Sequence, residues 1–138
     1  MVVDKQKAKK EKTEFEYKLV DLELYSLKVS RGSNRDESKP LQIKRTNNLE
    51  LVNLTDKKLT ISVKEKVYFD SEGPFEINLD YRGVFEISEP VDKDFIEEKM
   101  EEISYPVLAS AVHTLSFVME KIIGHPLIFP PKINKDNK

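Results

Sequence analysis

Apolar and polar residues alternate from Phe15 to Val29, but the phase slips twice. Phe15, Tyr17 and Leu19 carry it first, then Val20, Leu22 and Leu24, then Tyr25, Leu27 and Val29. A strand without interruption keeps one phase, so the slips predict one long strand containing β-bulges. Arg31 to Pro40 has no period and is rich in turn formers. It predicts a long loop crossing from one strand to another rather than a tight hairpin. Leu49, Leu51, Val52 and Leu54 predict a short second strand, ended by the turn-forming Thr55 to Lys58. Leu59, Ile61, Val63, Val67 and Phe69 then alternate with Thr60, Ser62, Lys64 and Lys66, with Glu65 the one polar residue on the apolar side. That is the pattern of a half-buried antiparallel strand. Asp70 to Pro74 predicts a hairpin loop. Phe75, Ile77, Leu79, Tyr81, Phe85 and Ile87 then hold one phase that includes Gly83. A glycine inside a strand marks a bulge or the close approach of another element.

The period changes after Pro90. Phe95, Ile96, Met100 and Ile103 share one side of a short helix over residues 92–103, whose other side carries six acids and two lysines. The residue before a proline is restricted to extended conformations, so Tyr105-Pro106 predicts a break and Pro106 the start of a second, longer helix. On that helix Leu108, Ala111, Val112, Leu115, Val118, Met119 and Ile122 recur at steps of three and four, and Gly124 and Pro126 stop it. Val107, Phe117 and Ile123 lie off the stripe. Covering one small sheet requires only a ~100° stripe, so a second subunit is the simplest cover for the rest. Strands followed by helices give the α+β class. A single domain is expected over residues 14–134, between a basic tail (1–13) and a short polar tail (135–138).

Composition narrows the chemistry. The 138 residues carry a formal net charge of −2, which gives no steering toward nucleic acid. Cysteine is absent, and only His113 and His125 remain as imidazole ligands, so no metal site is expected. The sequence has no P-loop, GxGxxG, GxSxG, HExxH or EF-hand motif, and Gly32, Gly73, Gly83 and Gly124 are isolated. Glu97/Glu98 and Glu101/Glu102 stand on a solvated helix face without the apolar surroundings that would tune a general acid. No catalytic constellation emerges, and no enzyme or cofactor is expected. Without an evident leader or membrane span, the expectation is a soluble cytoplasmic protein.

The order and wording of the second half resemble the SecB family of export chaperones. The resemblance rests on Gly83-Val84-Phe85-Glu86-Ile87 closing a strand, a proline-initiated helix from Pro106, and the ending Gly124-His125-Pro126 through Pro130-Pro131. It spans about Phe15 to Pro131. It implies a four-stranded antiparallel sheet of Greek-key type with a crossover after the first strand, and a homotetramer built as a dimer of dimers around the long helices. It also implies ATP-independent holding of unfolded polypeptides in apolar grooves. Family members continue into a second helix and a zinc-binding tail that contacts the motor SecA. This sequence ends at Lys138 without cysteine, and Leu24 and Lys28 stand where the family shows acids, which argues against delivery to SecA. Shortened SecB-like proteins also serve as chaperones of antitoxins, the alternative role. The residues expected to meet clients are Leu41, Ile43, Phe69, Phe75, Leu127, Ile128 and Phe129. Those expected at the oligomer interface are Leu108, Val112, Leu115, Met119 and Ile122.

Overall fold

The computed structural model describes residues 15–31, 42–69, 75–124 and 128–133. The two tails, most of the crossover, the Asp70 to Pro74 loop, Leu41, His125 and Leu127 lie outside them. Strands β1 (Tyr17–Arg31), β2 (Ile43–Leu54), β3 (Lys58–Phe69) and β4 (Phe75–Ile87) precede helices α1 (Lys93–Glu98) and α2 (Met100–Ile123). All pairings are antiparallel, and the order across the sheet is β1-β4-β3-β2. Consecutive strands β2, β3 and β4 are neighbours, while β1 lies beside β4 at the far edge. This is the expected Greek-key arrangement, and the chain crosses the whole sheet between its first two strands.

Both phase slips in β1 are β-bulges. The register with β4 jumps between Leu19 and Asp21 and again between Leu24 and Ser26, leaving Val20 and Tyr25 as the extra residues. The second bulge places the Tyr25 ring over the Arg82 guanidinium, 3.5 Å from its centroid, on the sheet face away from the helices. A third irregularity, at Val52, bends β2.

Helix α2 covers the sheet. Leu59, Ile61, Val63, Leu79 and Phe85 pack with Ile103, Val107, Leu108, Ala111 and Val112 in one cluster. Val67, Phe75, Ile77, Leu115 and Met119 form a second toward the C-terminal end of the helix. Gly83 lies directly beneath α2. A Cβ there would collide with Val107 Cγ2 and stand 3.1 Å from Leu19 Cδ1, so the glycine marks close approach rather than a bulge. Asp92 caps α1 by accepting the Phe95 N–H at 2.9 Å. Gly124 ends α2 at φ 91°, with its N–H donating to the Glu120 carbonyl.

Two boundaries differ from the expectation. The helical break falls at Lys99, and Pro106 lies inside α2. An interior proline forfeits one backbone hydrogen bond and crowds the preceding turn, at a cost of ~3 kcal/mol. Ile103 and Val107, one on each side of it and both fully buried, keep the helix continuous, so tertiary packing overrides the local preference. Strand β2 is also longer than expected, beginning at Ile43 rather than near Leu49. Its inward positions Arg45 and Asn47 are polar yet buried, so this half of the strand carries no hydrophobic alternation. Finally, α2 is long and apolar enough, by length and composition, to cross a membrane. One flank of it is committed to the sheet, as in the core helix of a globular protein.

Candidate functional site

Three features remain after the core is closed. The first is an apolar row on β1. Leu22, Leu24, Leu27 and Val29 pair across from Gly83, Tyr81, Leu79 and Ile77 and so share the sheet face that α2 covers. Their neighbours on β4 are shielded, whereas all four of these side chains are exposed. The helix reaches β1 only at its start, where Leu19 packs into the core. Among the described residues nothing pairs with the outer edge of β1.

The second feature is a groove of about 1280 Å³ between edge strand β2 and the α1–α2 corner. Leu49, Leu51, Met100 and Ile133 give it an apolar lining, Tyr105 stands at its side 53% exposed, and Glu97, Glu98, Glu101 and Glu102 crowd its rim. Nearby, the Tyr17 hydroxyl is pushed above its ordinary value of 10.0, by burial first and then by the Glu102 carboxylate beside it.

The third feature is a buried polar cluster. Glu65 accepts from Arg45 Nε at 2.8 Å and Nη2 at 2.9 Å, and from Asn47 Nδ2 at 3.2 Å. The Arg45 and Glu65 side chains are 5% and 0% exposed. Arg45 also donates to the Pro130 carbonyl at 2.8 Å and the Lys132 carbonyl at 3.4 Å, and Asn47 donates to the Lys132 carbonyl at 3.0 Å. The cluster thereby holds the segment 128–133 against the sheet, with the Phe129 ring 5.6 Å from the guanidinium. Glu65 was visible in the sequence as the odd residue in the β3 alternation. Arg45 and Asn47 gave no signal, because nothing in the pattern placed them on the inner face.

The expected client-contact residues separate. Ile43 is exposed on β2, and Ile128 is 86% exposed. Phe69 is half-buried, with its ring 5.2 Å from that of Phe75 in an edge-on arrangement, and Phe75 belongs to the core. Phe129 is half-buried and touches both clusters.

Of the residues expected at the oligomer interface, Leu108, Val112, Leu115 and Met119 pack within one protomer against its own sheet. Ile122 is half-buried. The outward apolar residues of α2 are Tyr105 and Phe117, with Phe117 55% exposed. His113 is exposed beside them. Among the described residues no group of three or more His, Cys, Asp or Glu side chains is arranged to hold a metal ion.

No protein-family model matches the sequence, and no curated protein matches it by sequence. The fold does have solved likenesses. The Mycobacterium tuberculosis Rv1957 SecB-like chaperone, solved in complex with a ChAD peptide from the Rv1956 HigA1 antitoxin, superposes with a TM-score of 0.66. The match covers 83% of this chain and 89% of that one at 6% identity. A Streptococcus agalactiae protein of unknown function matches with a TM-score of 0.53 at 14% identity, over 84% of this chain and 98% of that one. The fold is SecB-like.

Proposed function

We propose that this chain is an ATP-independent holdase chaperone that binds unfolded or pre-export polypeptides as a homotetramer. The observation that supports it most is the groove beside β2 in a SecB-like fold. An apolar floor next to a strand edge that is unpaired among the described residues accommodates an extended chain by backbone pairing and apolar pockets, which tolerates many sequences. Ile43 on β2 and Ile128 are further exposed apolar positions, outside the lining of that groove, and Phe69 and Phe129 are half-buried. Single grooves bind weakly, and several on one assembly raise the affinity for a long client. For assembly, the exposed row of β1 and the outward residues Tyr105 and Phe117 of α2 supply the surface a second copy would cover.

The test is fluorescence anisotropy with two unrelated, permanently unfolded polypeptides and no nucleotide. Saturable binding of both, and no binding of their folded forms, is expected. Binding of neither overturns the reading.

A second role is favoured by one specific observation: the Mycobacterium tuberculosis neighbour was solved with an antitoxin peptide. Under that role the chain is a dedicated chaperone for one partner such as an antitoxin. It then forms a stoichiometric complex with that partner and ignores generic unfolded chains.

A further inference from the structure

The acidic corner of the fold begins where the chain enters the domain. Phe15 is the first described residue, and its ring stands edge-on to Phe95 of α1 at 5.0 Å. Beside Phe95 a shallow depression is lined by Asp92, Asp94, Glu97 and Glu98. Glu97 and Glu98 also belong to the rim of the groove beside β2, so the two concavities form one path around the outside of α1. Along it Asp94, Glu97, Glu98, Glu101 and Glu102 are all exposed. Among the described residues only Glu97 of these five has an ion pair, with Lys93 at 3.8 Å, and both side chains of that pair are largely exposed, where such contacts stabilise little. The path therefore starts at the root of the N-terminal tail, runs between carboxylates with little described counter-charge, and ends on the apolar floor of Leu49, Leu51, Met100 and Ile133.

Residues 1–14 lie outside the described structure, and their sequence is the complement of that path. Lys5, Lys7, Lys9 and Lys10 fall within six residues that contain no acid, and Val2 and Val3 precede them. From Val3 to Phe15 the chain can span about 40 Å at roughly 3.3 Å per residue. Helix α1 is six residues long, only about 9 Å from end to end. The reach is ample for the lysines to come level with the carboxylates and for the valines to arrive at the apolar floor. A second copy suits the groove less well. In an isologous contact the same patch meets itself, which would set the acidic rim against its own copy, and like-charge juxtaposition is unfavourable.

We infer that the N-terminal tail is a cis occupant of the groove beside β2, with Lys5 to Lys10 along the Glu97 to Glu102 rim and Val2 and Val3 on the apolar floor, and that it competes there with client polypeptides. The docking stands on the charge and apolar patterns alone, whereas the competition rests on the holdase reading given above. A short tether holds such a segment at an effective concentration of the order of 1 mM. A tail with an intrinsic dissociation constant of about 0.1 mM then fills the groove about nine-tenths of the time and weakens a client about tenfold. Its charge pairs form at an exposed rim, so salt loosens it. Weak single contacts are screened out, and a client that engages several grooves at once displaces the tail.

Carbodiimide joins a lysine amine to a carboxylate where the two touch, and the links formed in the full chain are mapped by mass spectrometry. An equal mixture of ordinary and heavy-isotope-labelled chains, refolded together, separates links within one chain from links between copies. Lys5, Lys7, Lys9 and Lys10 should link within the chain to Glu97, Glu98, Glu101 and Glu102. Glu16 and Glu86, exposed and also close to the root of the tail, should link less, and sodium chloride should remove the preference. Links spread evenly over all six carboxylates overturn the inference. Links found only between copies overturn it in favour of a neighbour's tail. The second measurement is anisotropy with fluorophore-labelled, reduced and carboxamidomethylated ribonuclease A as the client. The full chain carrying Lys5→Gln, Lys7→Gln, Lys9→Gln and Lys10→Gln should bind it about tenfold tighter than the parent. Equal affinity, with the cis links present in the parent, overturns the competition. If neither protein binds the client while the cis links are present, the holdase reading falls and the docking stands.

Discussion

Replacing Glu65 with leucine removes a carboxylate that accepts three hydrogen bonds inside the sheet. The guanidinium of Arg45 stays behind at 5% exposure, with its counter-charge gone and little water in reach. Breaking a buried pair from one side costs about 3–5 kcal/mol. A folded domain is stable by about 5–15 kcal/mol, so the single change should remove about a fifth of the total or more. Arg45→Met should cost a similar amount by stranding Glu65. The double variant removes both charges together and should recover at least ~2 kcal/mol of the summed cost. Urea unfolding by circular dichroism, at one protein concentration for all four proteins, measures the cycle, and equal m-values license the comparison. A Glu65→Leu cost below ~1 kcal/mol, or strictly additive single changes, would refute the account of this cluster as a closed, mutually dependent unit.

Three further outcomes follow from particular contacts. Gly83→Val places side-chain atoms where Val107 Cγ2 already sits, and overpacking of this kind typically costs about 1–3 kcal/mol; a thermal midpoint unchanged from the parent would contradict the close helix–sheet approach. The Tyr17 phenol is raised above 10.0 by burial and Glu102, so between that value and its folded value the native state keeps a proton the unfolded chain has lost. Stability should therefore decline as pH rises through that window, more steeply than in Tyr17→Phe, and parallel pH profiles for the two proteins would refute the shift. Phe117→Asp should shift the assembly to smaller species in light scattering after size exclusion while the far-ultraviolet spectrum is retained. An unchanged mass removes this helix face from the interface.

The parts of the fold legible in the sequence were those where the inward positions are apolar. β3 and β4 showed one phase from end to end because their inner faces are covered by α2, and the slips in β1 located both bulges since each extra residue shifts the sequence phase while the apolar side chains stay on the inner face. The first half of β2 was invisible for the opposite reason: Arg45 and Asn47 face inward, and their partner Glu65 lies 20 and 18 residues away. Pro106 misplaced the helix break because local preference was weighed without the burial of Ile103 and Val107. The helix stripe was identified correctly as apolar, but periodicity cannot tell a face that packs on its own sheet from one that meets another copy. Only the topology, with β1 at an edge and α2 lying chiefly over β4 and β3, shows that exposed apolar side chains remain on β1 and at Tyr105 and Phe117.

The most direct measurement is light scattering from two unrelated proteins diluted out of denaturant, with this chain added at stoichiometric amounts and no nucleotide. Holdase action predicts that aggregation of both is suppressed, and that Ile43→Asp, which keeps the core intact, weakens the suppression. Undiminished aggregation of both, with the chain folded and assembled, would contradict the proposed function.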